Sequence, residues 1–526
     1  MLSLLLSLTL LSPAVVAAPP KNYSPPSKSS KSAAIRGEGF IHKRVSAIPG
    51  APQLRSKRDA DEVTVANQRL GTTYTIDIDV GTPAQKITVI LDTGSPDLWV
   101  NPSCETSGQP AYCQSFPQFD YTVSSTIQDT GFADILAYGK GNVTVEYVTD
   151  AVTFDGLDIT DQIFGIGFES FDIPMGILGL SPPVNPDNAY DFVLDSMAKQ
   201  GLISSRAFSL DLRAVSDPNG AVIFGGVDTG KFIGELEKLP ILDPSETPSG
   251  ADRYWVYLTG VGITLPDGSA SASDVIQVPV FLDSGGTLSR LPTPIFQAIG
   301  DVFPGAAFDE DEGAFVVDCS VASQPGSVDF AFNNKVISVP YADFIWQVKE
   351  GFCIVGVLPD DDEPVFGDSF LRAAYVVYDQ DNRNLHLAQA ANCGTNVITI
   401  GSGVNAVPSS TGQCTGSDRA TATAGQNLDV TQTRAPTNVV TGSNPDATPI
   451  PFGPGPAASR VSVTSMGLTN APVPTGAPAA GTETGTGTEA PQPTESKKND
   501  AAGVKVGMGM GAAVAFGVVN VVAWVL

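Results

Sequence analysis

The sequence predicts a mainly β body of two related lobes, followed by a tail that cannot build a core. Three observations predict it. Between about Val63 and Ala391, runs rich in Val, Ile, Thr, Tyr and Phe are broken by Gly, Pro, Asp and Asn, as in "TTYTIDIDVG" and "AAYVVYDQDNRNLHLAQA"; they alternate or stay apolar at strand length. Within that body one unit occurs twice: an apolar run, then Asp-Thr/Ser-Gly, then a later hydrophobic-hydrophobic-Gly. After Cys393 the chain turns to Ser, Thr, Pro, Gly and Ala, as in "AAGTETGTGTEAPQPTES", a composition that buries too little apolar surface to fold.

The duplicated unit is the most informative of the three. Asp-Thr/Ser-Gly stands at Asp92, Asp129, Asp228 and Asp283, but only "VILDTG" and "VFLDSG" close a strongly apolar run. "GILGL" follows the first and "PVFGD" the second. Asp92 lies 87 positions before Gly179, and Asp283 lies 84 before Gly367. Matched spacing of matched motifs is an internal duplication. Helical signals are few; "NAYDFVLDSMAKQG" is the clearest, with Gly201 placed to end it.

Charge and histidine content narrow the chemistry. The chain has 526 residues and a formal net charge of -27, which excludes nucleic acid as a partner because phosphate binding needs a basic face. Only His42 and His386 occur, so histidine-dependent triads and His-rich zinc sites are disfavoured. Carboxylates remain. Two lobes related by a pseudo-twofold would bring Asp92 and Asp283 together, with Gly94 and Gly285 allowing the tight turns that present them. Two carboxylates in contact share one proton, an arrangement for which aspartic proteases are the standard example. The ionised member draws a proton from water and the protonated one donates to a carbonyl oxygen. Such a site calls for no metal and no cofactor.

The ends of the chain read as targeting and processing segments. "MLSLLLSLTLLSPAVVAA" is a short apolar run ending in small residues, the pattern of a secretory signal over residues 1–18. Residues 19–58 hold nine Lys/Arg against Glu38 alone, a basic propeptide. It ends at Lys57-Arg58, the expected cut site for a processing protease, and its charge would let it latch over an acidic cleft. The body is expected over 59–392, with the N-lobe about 63–235 and the C-lobe about 236–392. A stalk is expected over 393–498, and a glycolipid (GPI) anchor signal over 499–526, with Asn499 as the attachment residue. These segments send the protein through the secretory pathway to the outer leaflet of the plasma membrane and to the cell wall. Six cysteines fit three bridges, near neighbours being the simplest pairing. Asn142-Val143-Thr144 is a glycosylation sequon.

On these motifs the chain resembles the pepsin-like aspartic proteases, and in layout their fungal GPI-anchored, yapsin-type branch. The resemblance covers about Val63 to Ala391 and follows "YTIDIDVGTPAQKITVILDTGSPDLWVNPS", "SSTIQDTGFADILAYGKGNV", "DQIFGIG", "FSLDLR", "GGVDTGKFIGEL", "YWVYLTGVGI" and "VFGDSFLRAAYVVYD" in family order. It implies a bilobal fold, a monomer, and protein or peptide substrates. By resemblance Asp92 and Asp283 are the catalytic pair, and Thr93 and Ser284 the hydroxyls that cross-link the loops beneath them. Ser95 supports the first aspartate. Tyr138 is the flap tyrosine, with Gly139 and Lys140 at the tip, and Trp99 its indole partner. Cys319–Cys353 and Cys104–Cys113 are the implied bridges. Three positions depart from the family. Gly286 stands where Thr or Ser is usual, leaving Thr287 or a water to bond Asp283. Pro96 replaces a common Ser, and Met175 a usual Asp. Lys140 would repel a basic side chain at the scissile bond, while the acidic runs Asp309–Glu312 and Asp360–Glu363 would attract one if they rim the cleft. The sequence therefore predicts an endopeptidase; a pepsin-fold surface binder that lost catalysis through Gly286 is the alternative.

Overall fold

The first aspartate ends a strand, and the strand explains its position. In the computed structural model, which describes residues 39–49, 72–139, 141–184, 190–217, 219–273 and 275–416, Gln85–Asp92 pairs antiparallel with Thr72–Val80. Its first half alternates in burial and its last four residues are all buried, as expected when a strand passes from a half-solvated to an enclosed layer. Gly176–Gly179 then lies parallel beside it, with Ile90 opposite Ile177 and Asp92 opposite Gly179. The second half repeats this pattern. Val278–Leu282 is wholly buried and lies parallel to Val365–Phe366, with Leu282 opposite Phe366. The two motif spacings in the sequence are these two parallel pairings.

A shared antiparallel sheet joins the halves. Ala207–Asp211 from the first half pairs with Ala374–Asp379 from the second, Leu210 opposite Val376. Asn219–Phe224, Asn384–Ala390 and Phe232–Pro240 extend it. One hydrophobic cluster runs through both halves, from Val89, Leu91 and Leu178 to Val280, Leu282 and Phe366. Phe208 and Tyr378, one from each half, stack at 4.6 Å. The architecture is mainly β, as the sequence predicts.

Helices are few and short. The segment expected to be helical forms Val193–Lys199, with Asp195 accepting from the Phe192 amide at 3.1 Å. Gly201 takes φ +75°, and Leu202 N–H closes on Met197 O at 2.9 Å, the left-handed stop that glycine permits. A longer helix, Thr293–Val302, buries Ile295, Phe296, Ile299 and Val302. These recur at i, i+1, i+4 and i+7, one face of a helix. Gly300 lets Phe315 pack against it: a Cβ there would fall 2.1 Å from that ring.

One expected boundary needs correction, and part of the expected propeptide has a place in the sheet. Of the expected propeptide over residues 19–58, Ile41–Pro49 is a strand of the large sheet, between Asn219–Phe224 and Thr72–Val80. Its backbone is committed to two ladders, and none of it lines the cavity beside Asp92. Nor does folded structure stop at 392. Val397–Thr399 pairs with Gly226–Asp228, and Thr411–Gln413 with the edge of Phe232–Pro240. Ile400, Ala406 and Val407 are buried against Val227, Phe232 and Tyr375. Cys393–Cys414 ties this segment closed, and Lys231 Nζ donates to Asn392 Oδ1 at 2.9 Å. The polar composition concealed a clasp of about two dozen residues. Residues 1–38, Lys57, Arg58, Lys140 and everything after 416, Asn499 included, lie outside the described residues.

Candidate active site

Asp92 and Asp283 come together where the halves meet, each on a tight loop that its glycine makes feasible. Gly94 N–H donates to Asp92 Oδ1 at 2.7 Å, and Gly285 N–H to Asp283 Oδ1 at 2.8 Å. The glycines also pack crosswise. A Cβ on Gly94 would stand 2.6 Å from the Asp283 carboxyl oxygens, and one on Gly285 2.6 Å from Asp92 Oδ1. Any side chain at either position would displace the opposite carboxylate.

Beneath the pair, the two loops grip each other. Thr93 Oγ1 donates to Leu282 O at 2.9 Å and accepts from Ser284 N–H at 2.9 Å. In return, Ser284 Oγ donates to Leu91 O at 2.8 Å and accepts from Thr93 N–H at 3.2 Å. Both hydroxyls are buried, so four satisfied bonds fix the loops in register. The following strands lock them from outside: Leu180 N–H donates to Asp92 O at 2.8 Å, and Asp283 N–H to Phe366 O at 2.9 Å.

The surroundings of the two carboxylates differ. Ser95 Oγ donates to Asp92 Oδ2. Gly286, the matching position of the second loop, has no hydroxyl to offer. A Cβ there would find Asp283 Oδ2 at 3.8 Å and nothing closer than 3.7 Å, so the space for a side chain exists. Thr287 is buried, and its carbonyl accepts from Ser369 N–H at 3.1 Å. Asp92 is buried, and its pKa is pushed well above the carboxylate range, by burial first and by Asp283 second; the bonds from Ser95 and Gly94 pull the other way. A carboxyl held protonated beside another carboxylate is what acid–base work on a water requires.

The flap is a hairpin. Gln128–Ala137 pairs with Asn142–Phe154, Ala137 opposite Asn142, and Tyr138 N–H donates to Gly141 O at 2.8 Å across the turn. Trp99, fully buried, donates its indole N–H to the Tyr138 hydroxyl at 2.8 Å. Ser95 also bonds that hydroxyl, so indole, phenol, serine and Asp92 form one connected line. Gly139 is exposed at the tip. Cys104–Cys113 and Cys319–Cys353 are both bridged.

Other site groups were not found by sequence reasoning. Asp97 lines a cavity of about 230 Å³ with Gly94, Pro96, Tyr138 and Arg253. It accepts from Tyr147 at 3.0 Å and Tyr190 at 2.8 Å, and burial raises its pKa against those bonds. Below Asp283, Asp368 N–H donates to Gly286 O at 2.8 Å. Burial drives the Asp368 pKa well up despite Arg372, which itself bonds Tyr74 at 2.9 Å. Position within "PVFGD" was the one available signal for Asp368. Neither acidic run lines the cavity beside Asp97; Asp360 pairs with Arg290 at 3.3 Å, Glu363 with Arg253 at 2.8 Å, and Asp309 closes its own turn.

Residues 73–390 match the family model for eukaryotic aspartyl protease. The chain belongs to the eukaryotic aspartyl protease family. Its fungal relatives agree. It is 33% identical over 395 residues to the probable aspartic-type endopeptidase opsB of Aspergillus oryzae, covering 70% of this chain and 80% of the relative. It is likewise 33% identical to an acid protease of Saccharomycopsis fibuligera, over 66% of this chain and 88% of the relative. Candidapepsin-3 of Candida albicans shares 33% identity over 66% and 87%. Among solved structures, the aspartic proteinase of Irpex lacteus has the same fold, with TM-score 0.50 and 21% identity over 66% of this chain and 97% of that one. As a eukaryotic aspartyl protease, the chain is an aspartic-type endopeptidase.

Proposed function

We propose that this endopeptidase cleaves protein substrates at acidic pH by a water activated between Asp92 and Asp283. The observation that carries the reading is the asymmetric dyad: two carboxyls in contact, with the Asp92 pKa raised well above its ordinary range. The ionised member takes a proton from the water as it attacks the scissile carbonyl carbon. The protonated member donates to the carbonyl oxygen, and the proton taken is passed to the leaving amine. The pair acts as one titrating unit. Tyr138 closes over the substrate, oriented by Trp99, while Thr93 and Ser284 keep the loops from separating. Gly94, Ser95, Gly285 and Thr287 support the carboxylates.

The sequence ends supply the setting. The 1–18 run, the cut site at Lys57-Arg58 and the tail ending near Asn499 support secretion, processing by another protease, and a GPI-anchored yapsin-type enzyme at the cell surface, acting as a monomer. The full chain is tested on denatured casein from about pH 3 to about pH 7, with and without pepstatin. Pepstatin-sensitive, acid-favoured cleavage that Asp92→Asn abolishes is the expected result. Gly286 favours one second reading, a peptide-binding surface protein with weakened catalysis. In that case Asp92→Asn would leave peptide binding intact, and the parent protein would show no hydrolysis to lose.

A further inference from the structure

The outer face of the flap carries an apolar surface that stays exposed among the described residues. Strand register fixes its members. Ala137 stands opposite Asn142 and Ile135 opposite Thr144; on the other side Asn142 stands opposite Phe171 and Thr144 opposite Glu169. Directly opposed residues of antiparallel strands share a face, with Cβ atoms about 4.5–5.5 Å apart. Ile135, Ala137, Asn142, Thr144, Glu169 and Phe171 therefore lie together on the side away from Tyr138. Ile135 is 65% exposed and Phe171 59% exposed, and Phe168, in the adjoining bulge, is 53% exposed. Three of the eight large exposed hydrophobics among the described residues thus lie on this hairpin and its neighbouring strand, and a single asparagine stands directly opposite Phe171. That asparagine opens the sequon Asn142-Val143-Thr144 and is itself exposed.

We infer that Asn142 carries an N-linked glycan whose first sugars lie on Phe171 and Ile135 and serve as the cover for this face. The inference rests on the secretory reading above, since the modification is made in that compartment. Asn142 Nδ2 forms a C–N bond to the anomeric carbon of an N-acetylglucosamine. The carbon–oxygen bond to the donor, an oligosaccharide linked to a polyprenyl diphosphate, breaks. The diphosphate leaves with the bonding pair, and the amide gives up one proton. Asn142 follows the Tyr138–Gly141 turn directly, so on the nascent chain it is accessible before the hairpin pairs. Once folded, the sugar's C–H face meets the Phe171 ring across the strands, removing apolar surface from water. On the opposite face Leu136 and Tyr138 pack against Trp99 and Val143, while the strand edge from Asp134 to Tyr138, Ile135 included, borders the cavity.

The test uses the full chain secreted from a eukaryotic host that glycosylates asparagine. Release of glycan in heavy-oxygen water, followed by peptide mass analysis, is expected to convert Asn142 to labelled Asp in most of the secreted protein. Thr144→Ala should abolish this mass shift and Thr144→Ser should keep it. The unglycosylated Thr144→Ala protein should bind more of an apolar-surface dye than the parent, and adding Phe171→Ser to it should remove that gain. Secreted protein with unmodified Asn142 overturns the inference alone, as does dye binding that glycan loss leaves unchanged. Protein retained in the cytosol with residues 1–18 uncut overturns the secretory reading and this inference with it.

Discussion

Gly286 is the position at which the two aspartate loops stop being copies. Ser95 gives Asp92 a charge-assisted bond that Asp283 has no counterpart for at Gly286. Such bonds contribute about 1.5–3 kcal/mol. The nearest atoms to a Cβ at 286 are 3.7 Å away or more, so Gly286→Thr is expected to fit and to bond Asp283. The added bond should raise kcat/KM across the acidic range of the pH profile. A profile identical to the parent's would show that Asp283 is already fully bonded. Ser95→Ala should act oppositely, lowering kcat/KM and weakening the link to Tyr138.

The flap depends on two contacts that its sequence does not advertise equally. Tyr138→Phe leaves the buried Trp99 N–H without its acceptor, an unsatisfied donor costing about 1–3 kcal/mol. A fall of about tenfold or more in kcat/KM is expected; an unchanged value would detach the tyrosine from catalysis. At Gly141, a Cβ would fall 1.9 Å from Phe171 O. Gly141→Ala should therefore distort the hairpin and lower the thermal midpoint as well as activity. Elements of this kind were legible where the signal is local. Asp92, Asp283, Thr93, Ser284 and the flap turn all sit inside short motifs. Asp97 was not, because the hydroxyls that hold it come from Tyr147 and Tyr190, 50 and 93 positions away. The clasp after 392 was missed for a related reason: its Gly- and Ser-rich composition matches a stalk, while pairing with residues 226–240, burial of Ile400, Ala406 and Val407, and the Cys393–Cys414 bridge order it. The cost of ordering a polar segment is offset by contacts that composition does not record.

For the whole molecule, buried carboxyls set the pH response. Burial raises the pKa of Asp92, Asp97 and Asp368, and raises that of Asp211 from 3.8 to about 6 despite Arg213. A raised folded pKa means the native state holds its proton more tightly than the unfolded chain. The resulting stability is fully present below the unfolded value and is lost as pH rises through the folded one. For Asp211 the window runs from 3.8 to about 6, a loss on the order of 3 kcal/mol. The thermal midpoint should fall between about pH 4 and about pH 7; a flat or rising curve would contradict this. The leader responds differently. Because Ile41–Pro49 is paired on both sides, its loss would bare two sheet edges. After cleavage at Lys57-Arg58 the leader fragment should co-elute with the body and separate only in denaturant; immediate release would show that another strand takes its place. The crosswise packing of Gly94 and Gly285 has a last consequence, for descent rather than for chemistry. Each half supplies the wall against which the other half's aspartate rests, so neither repeat could drift alone at these positions. Duplication made two copies, and the contact has since bound them to one shared history.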